Sequence, residues 1–220
     1  MLNVVAQITA GTAFDKHGRP FRRRNFMPAA VLFAVLAVIT VLVWVIALSR
    51  PADVREAAAC NPPPAPAEPN AEMPQLEPVS RQAMTDVMPA KLADTRIRVL
   101  NASGQGGQAA EVAGALRDLG FAEPEAANDP LYATARLQCQ GQIRFGPAGQ
   151  AAAAAVWLVA PCTELYRDQR TDDSVDLAIG TDFEELTRSD DIEAVLASLL
   201  PDATQPADPS LLSKIHTGTC

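Results

Sequence analysis

The stretch that decides the fold is RIRVLNASGQGGQAAEVAGALRDLGF, residues 96–121. Residues 95–100 alternate Ile97 and Val99 with arginines, which predicts a strand with one buried face and one polar face. A glycine-rich turn follows and opens a helix predicted over residues 106–119. The apolar positions of this helix recur at helical spacing on one face and are Ala109, Val112, Ala113 and Leu116.

The end of this helix carries its own signal. Gly120 is placed as the left-handed residue that closes a helix, and Phe121 stands where a Schellman motif returns an apolar contact to Leu116. The segment therefore predicts a complete strand–turn–helix unit.

The chain that follows predicts the rest of one small domain. Residues 136–145 predict a strand, with Cys139 on its inner face and Gly141 at a turn or bulge that could split it. Residues 147–160 then predict a helix that is apolar on nearly all sides and therefore buried. The proline-broken stretch before them, residues 122–130, predicts a loop.

Three more elements complete the pattern. Residues 164–167 predict a short edge strand and residues 174–179 a firmer one. Asp190, with Glu193 three residues later, predicts the start of a third helix. The order predicts an α/β fold over residues 95–201, a small two-layer sandwich with a mixed or antiparallel sheet and about three helices.

Upstream, residues 28–48 read PAAVLFAVLAVITVLVWVIAL and contain no charged residue. A helix of this length spans about 30 Å, the thickness of the hydrocarbon core of a bilayer. Residues 1–27 carry five basic residues and one acidic residue, whereas the 172 residues after the run carry 13 basic and 25 acidic residues. This asymmetry predicts a single-pass protein of the plasma membrane with a short cytoplasmic N-terminus and an extracytoplasmic domain.

Two alternatives to an anchor exist. A buried core helix is disfavoured because the run lacks a polar face and lies between an arginine cluster and a proline-rich stretch. A cleaved signal peptide is the stronger alternative, because residues 57–59 are alanines and Cys60 follows them. The run is longer than the usual apolar core of about 7–15 residues, so we expect an uncleaved anchor.

Residues 49–94 are rich in proline, which favours extended polyproline II, and we expect a stalk. Residues 202–220 predict a C-terminal tail. All four cysteines follow the membrane run, and an even number in an exported domain predicts two disulfides. We expect Cys139 to pair with Cys162, and Cys60 in the stalk to pair with Cys220, which would tether the tail.

The glycine-rich turn is the one motif that suggests a ligand. Residues 104–109 fit G-x-G-x-x-A, but the domain is too short for a dinucleotide-binding fold, so we expect no cofactor. The turn could still hold a polar or anionic group at the start of its helix. The candidate donors are Asn101, Ser103, Gly106 and Gly107.

Catalysis and metal binding lack the necessary residues. His216 is the only histidine after the membrane run and stands in the tail, and no CxxC motif is present. Paired carboxylates, such as Asp172 with Asp173 and Glu184 with Glu185, are typical of a solvated surface, and Asp182 is placed in the turn after a strand. We therefore expect no catalytic residue, no metal site and no enzyme, and the acidic exported charge disfavours nucleic acid.

Residues 96–121 resemble the opening block of the LytR C-terminal domain family, a strand, Leu-Asn-x-Ser-Gly and an alanine-rich helix ending in Gly-Phe. IRFGPAGQAAAAAV and VDLAIGTDF are similar to the family's later blocks, so the resemblance covers residues 95–186. It implies a non-catalytic extracytoplasmic domain without established catalytic residues. The phosphotransferase domain that often accompanies this family is absent from the sequence.

The resemblance and the anchor together imply a protein that supports cell-envelope integrity by binding. The expected partners are envelope glycan, lipid, or envelope-assembly proteins such as a cell-wall ligase. The alternative is an envelope-lipid carrier or hydrolytic accessory with an apolar pocket. A deep apolar cavity would favour the carrier, and an exposed polar sheet face would favour a binding module.

Overall fold

A computed structural model describes residues 27–49, 59–65 and 73–217 of the chain, without the side chains of residues 45–49. The chain divides into two units, Met1–Asp53 and Val54–Cys220. The predicted cytoplasmic segment before Met27, parts of the predicted stalk and Cys220 lie outside the described residues.

The described residues of the first unit form helix α1 (Met27–Ser49), which is long and apolar enough to cross a membrane. The side chains of residues 27–44 are exposed on every side, as expected for a helix that packs in lipid. Thr40 donates its hydroxyl to the carbonyl of Leu36 at 2.8 Å, so this polar group has a partner within the helix.

The second unit is built on a mixed six-stranded sheet, which confirms the predicted α/β class. The strands are β1 (Glu77–Val79), β2 (Ile97–Asn101), β3 (Glu125–Asn128), β4 (Gly141–Phe145), β5 (Glu164–Arg167) and β6 (Val175–Ile179). Their order across the sheet is β1-β5-β4-β6-β2-β3. The β1–β5 and β4–β6 pairs are antiparallel and the other pairs are parallel.

The helices that follow the strands share one hydrophobic core with one face of this sheet. They are α2 (Arg81–Thr85), α3 (Gln108–Asp118), α4 (Gln150–Val159), α5 (Asp190–Ser198) and α6 (Pro209–Thr217). The sheet contributes alternate residues to this core, namely Ile97, Val99, Ile143, Phe145, Leu165, Val175, Leu177 and Ile179. The residues between them therefore point to the second face of the sheet.

The local predictions around residues 96–121 are confirmed. The helix ends in a Schellman motif, because the amide of Phe121 donates to the carbonyl of Leu116 at 3.2 Å and that of Gly120 to Arg117 at 2.9 Å. Gly120 has a φ of +98°. The alanine-rich α4 is buried from Ala152 to Val159, as its composition predicts.

Several boundaries differ from the prediction. Glu77–Val79 is an edge strand paired with β5, and Met84 is fully buried, so packing of the domain begins before residue 95. β5 consequently lies inside the sheet and not at its edge. Glu125–Asn128, predicted as loop, is the opposite edge strand.

Three further differences concern helices and the segment around Cys139. Pro209–Thr217 of the predicted tail is a helix that packs against α5, α2 and α4. The N-cap of α5 is Ser189, not Asp190, because its side chain accepts the amide of Ile192. β4 begins only at Gly141, and the residues before it, 129–140, cross the second face of the sheet.

Candidate functional site

A row of polar side chains crosses the second face of the sheet. Arg98 on β2 is opposite Asp176 on β6, Asp176 is opposite Arg144 on β4, and Arg144 is opposite Tyr166 on β5. These residues alternate with the apolar residues of the helix-covered face. Because side chains alternate along each strand, one face of the sheet is apolar and packs in the core, and the other face carries the polar row.

Asp176 joins two arginines at one end of this row. Arg98 donates its Nε to Oδ1 at 2.7 Å and its Nη2 to Oδ2 at 3.0 Å, a bidentate pair. Arg170 donates to Oδ2 of Asp176 at 2.6 Å and also to Asp168. Burial opposes the charge of Arg170, but hydrogen bonds to Asp176 and Asp168 outweigh it and raise the pKa of this guanidinium.

The centre of the row is a buried ion pair. Arg144 and Asp129 have side chains only 3% and 0% exposed, and Nη2 of the arginine lies 2.9 Å from Oδ2 of the aspartate. Arg144 also donates to the amide oxygen of Gln142, and its guanidinium lies 5.7 Å from the ring centre of Tyr132. Removing one partner would leave a buried charge uncompensated, so this pair holds residues 129–140 against the sheet.

Residues 60–64, the CNPPP segment that we call the strap, fasten the same region from outside. Asn61 accepts the amide of Gln138 at 2.6 Å and donates to the carbonyl of Arg136 at 3.1 Å. Tyr132 donates its hydroxyl to the carbonyl of Asn61 at 2.6 Å, and the amide of Cys60 donates to Glu164 at 3.0 Å. The strap and residues 129–140 therefore cover one half of the second sheet face.

A disulfide between Cys60 and Cys139 closes this arrangement. The predicted pairings of Cys139 with Cys162 and of Cys60 with Cys220 are therefore wrong. Cys139 does not lie on the inner strand face; it packs in a second cluster with Leu100, Leu137 and Ala178 under the strap. Cys162 is disulfide-bonded as well.

The other half of the second face is an open groove of about 1210 Å³. It lies at the amino ends of β2 and β6, opposite to the end that the strap covers. The groove is lined by three arginines and four carboxylates, namely Arg96, Arg98, Arg170, Glu123, Glu125, Asp168 and Asp172. Its apolar lining includes Met73, Pro74 and Ala122. Arg96 pairs with Asp173, so each of the three arginines has a carboxylate partner.

The predicted ligand turn lies at the other end of β2 and is not brought to this groove. Asn101 accepts from the amides of Ser103 and Gly104 at 3.2 Å and donates to the carbonyl of Gln105 at 2.7 Å. Ser103 bonds to Gln108, which in turn reaches the carbonyl of Phe183. The polar side chains of the turn thus stabilise the turn itself.

The two glycines of the predicted turn differ. Gly107 has a φ of +86° and precedes the first residue of α3, a conformation that favours glycine. A side chain at Gly106 would meet no atom within 4 Å. A side chain therefore causes backbone strain at Gly107 and not at Gly106.

The histidine and the carboxylates for which no catalytic role is expected lie far apart in the fold. His216 is buried and stacks on Trp157 with ring centres 3.9 Å apart, so it belongs to the core and not to a loose tail. Glu164 accepts the hydroxyl of Tyr166 at 2.8 Å; burial, followed by this bond, raises the pKa of Tyr166 to about 12. Asp182 is exposed and bonds to its neighbour Thr181.

Sequence reasoning missed the groove because its residues come from four separate segments. The alternation of Arg96 and Arg98 with Ile97 was visible and predicted one polar strand face. The alternation of Asp176 with Val175 and Leu177 was visible as well. Their alignment depends on the β2–β6 register, which the local pattern does not contain.

Comparisons with known proteins agree with this fold. A family model described as LytR cell envelope-related transcriptional attenuator matches residues 94–183, which confirms the predicted resemblance. The cell envelope integrity protein Cei of Mycobacterium tuberculosis is 69% identical over 217 residues, covering 99% of this chain and 100% of that protein. A crystal structure of the soluble domain of a conserved hypothetical secreted protein from Mycobacterium marinum is 70% identical with a TM-score of 0.65, and the match covers 66% of this chain and 97% of that one.

Proposed function

Because this chain belongs to the family of the cell envelope integrity protein Cei, we propose that it holds a non-catalytic binding domain outside the plasma membrane, where the open groove binds a component of the cell envelope. The candidate components are envelope glycan, envelope lipid and an envelope-assembly protein. The N-terminus is cytoplasmic in this proposal, because the basic residues precede α1 and the acidic excess follows it.

The observation that carries the proposal is the division of the second sheet face. One half is sealed by the strap and the disulfide, whereas the other half exposes hydrogen-bonding groups in a groove between Arg98, Asp168 and Glu123. The ion pairs with Asp176 fix the side chains of Arg98 and Arg170 against the sheet. The donors of these two groove residues are therefore preorganised for a ligand.

Two features support binding over catalysis or lipid carriage. The carboxylates of Asp176 and Asp168 already accept hydrogen bonds from Arg98 and Arg170, so their oxygens serve ion pairs within the domain. The groove is lined by charged side chains, whereas a lipid carrier needs a deep apolar cavity.

The test is complementation of a strain that lacks the gene, scored as growth under detergent or cell-wall antibiotics. Ala122→Trp fills the groove and should abolish complementation, whereas Ala110→Trp, on the exposed side of α3, should complement fully. Deleting residues 28–48 should also abolish function. Full complementation by a folded Ala122→Trp protein would show that the groove is not the functional surface.

A further inference from the structure

The charges of the groove define the chemical class of its ligand. The lining residues carry three positive and four negative charges, so groups of both signs lie side by side in the groove. Among the described residues that line it, every arginine is already bonded to a carboxylate. We propose that the groove selects an uncharged, polyhydroxylated saccharide chain; this inference rests on the proposed function and narrows it to one ligand.

An anionic ligand would meet a poorly suited surface. A phosphate needs unpaired guanidinium or ammonium groups to replace its hydration shell. At this site it would reach only the N–H groups that the ion pairs with Asp176 and Asp168 leave over, on guanidinium groups whose charge is already compensated. It would also lie near Glu123 and Glu125, whose negative charges repel it.

A cationic ligand is disfavoured for the complementary reason. Glu123 and Glu125 are exposed along one wall, but Arg98, with a half-exposed side chain, lies directly opposite Glu125 in the sheet. A cation drawn to these carboxylates would approach Arg98 and Arg96. The mixed lining therefore attracts neither sign strongly.

Hydroxyl groups can bond to both kinds of charged group in the groove, the carboxylates and the guanidinium groups. A hydroxyl both donates and accepts a hydrogen bond, so it can bond to a carboxylate oxygen and a guanidinium N–H at once without breaking the ion pair between them. The C–H face of a sugar ring can meanwhile contact an apolar side chain of the lining, such as Met73, Pro74 or Ala122.

The experiment measures binding of the full chain, held in nanodiscs of uncharged phosphatidylcholine, to three sets of probes. The first is a panel of uncharged oligosaccharides of hexoses, pentoses and N-acetylhexosamines. The second is the same panel with phosphate groups, and the third is vesicles of phosphatidylglycerol. We expect binding to members of the first set, at least tenfold tighter than to their phosphorylated counterparts or to the vesicles.

Three variants separate the alternatives. Arg98→Ala should weaken saccharide binding at least tenfold. The variant should still fold, because Asp176 keeps Arg170 as a partner, and thermal unfolding checks this. Lys214→Ala, which removes an exposed cation paired with Asp191, should leave binding within twofold. The double variant Glu123→Gln, Glu125→Gln removes two carboxylate charges of the groove and should weaken saccharide binding about two- to fivefold, less than Arg98→Ala does, because glutamine keeps an oxygen that accepts a hydrogen bond.

Preference for the phosphorylated panel or for phosphatidylglycerol would overturn the proposal, as would absence of binding to every uncharged saccharide. A larger loss in the Glu123→Gln, Glu125→Gln variant than in Arg98→Ala would also overturn it, because the negative charge of the carboxylates would then account for binding. If the chain binds no uncharged saccharide but still sediments with envelope fractions and Ala122→Trp fails to complement, only the ligand class is wrong. If Ala122→Trp complements as well, the proposed function is wrong too.

Discussion

The disulfide between Cys60 and Cys139 joins a residue of the predicted stalk to the segment that covers the second face of the sheet, and the two cysteines are 79 positions apart in the sequence. Around it, the amide of Cys60 bonds to Glu164 and Asn61 bonds to residues of the same segment. The chain between α1 and the strap is therefore short, residues 50–59, and the long extended stalk predicted over residues 49–94 is interrupted by a fixed point on the domain.

Peptide mapping without reduction should recover Cys60 linked to Cys139. Since these two are joined, Cys220 is the remaining cysteine, and we expect it linked to Cys162. Cys60→Ser should lower the free energy of unfolding by about 2–5 kcal/mol, because the bond closes a long loop in the unfolded chain. The double variant Cys60→Ser, Cys139→Ser should cost little more than the single one; a peptide joining Cys139 to Cys162 would contradict this pairing.

The stacked pair of His216 and Trp157 predicts a pH dependence of stability. Burial, followed by the charge of Arg81, lowers the pKa of His216 to about 4, whereas an unfolded histidine titrates near pH 6.5. Between these values the unfolded chain binds a proton that the folded chain does not. Stability contributed by neutral His216 is therefore complete above about pH 6.5 and falls as the pH drops toward 4, by at most about 1.4 kcal/mol per pH unit.

The control is His216→Phe, which keeps a ring against Trp157 but does not titrate. Urea unfolding of both proteins at pH 7.5 and at steps down to pH 4.5 should show a shallower decline for the variant. Equal slopes would mean that His216 is not held neutral in the folded domain.

Gly107 and Gly106 should respond differently to the same substitution. Gly107→Ala places a β-carbon at a φ of +86° and should destabilise the domain by about 1–2 kcal/mol. Gly106→Ala meets open space and should change stability by less than about 0.5 kcal/mol. Urea midpoints of the two variants, measured side by side, decide the matter; a costlier Gly106→Ala would show that the turn has another conformation.

Glu164 should tolerate substitution less well than Asp182. Glu164→Ala removes the acceptor of both the Cys60 amide and the Tyr166 hydroxyl, which costs about 1–3 kcal/mol for partly buried donors left unpaired. Asp182→Ala removes an exposed contact with Thr181 and should be nearly neutral. Thermal unfolding compares the two, and hydrogen exchange should show faster exchange of the Cys60 amide only in the Glu164 variant.

Alkaline phosphatase fused after Cys220 should be active in cells, because this enzyme matures only outside the cytoplasm. A fluorescent protein that fails to fold after export should be dark in the same position. Changing Arg22, Arg23 and Arg24 to glutamate should reduce phosphatase activity, since these residues supply most of the positive charge before α1. If the phosphatase is active and its activity does not change in the glutamate variant, the basic residues do not set the orientation. If the fusion to the unchanged chain is inactive, the C-terminal domain lies in the cytoplasm and the predicted topology is wrong.

The features that the sequence alone determined are those encoded by neighbouring residues. The alternation of Ile97 with Arg98 specifies which side of β2 is buried, and the placement of Gly120 and Phe121 specifies how α3 ends. The apolar run of α1 and the alanine-rich α4 follow from composition over two or more turns. Each of these signals acts within a few residues, so no knowledge of the tertiary fold is needed to interpret it.

Only the tertiary structure decided which distant residues meet. Arg98 and Asp176 are 78 positions apart and Cys60 and Cys139 are 79 apart, so no local pattern pairs them. Edge strands such as Glu77–Val79 and Glu125–Asn128 have weak strand preferences of their own and exist because a neighbouring strand supplies their hydrogen bonds. Strand register, disulfide connectivity and the groove are therefore properties of long-range packing, where the free energy comes from contacts that form only when the whole sheet is assembled.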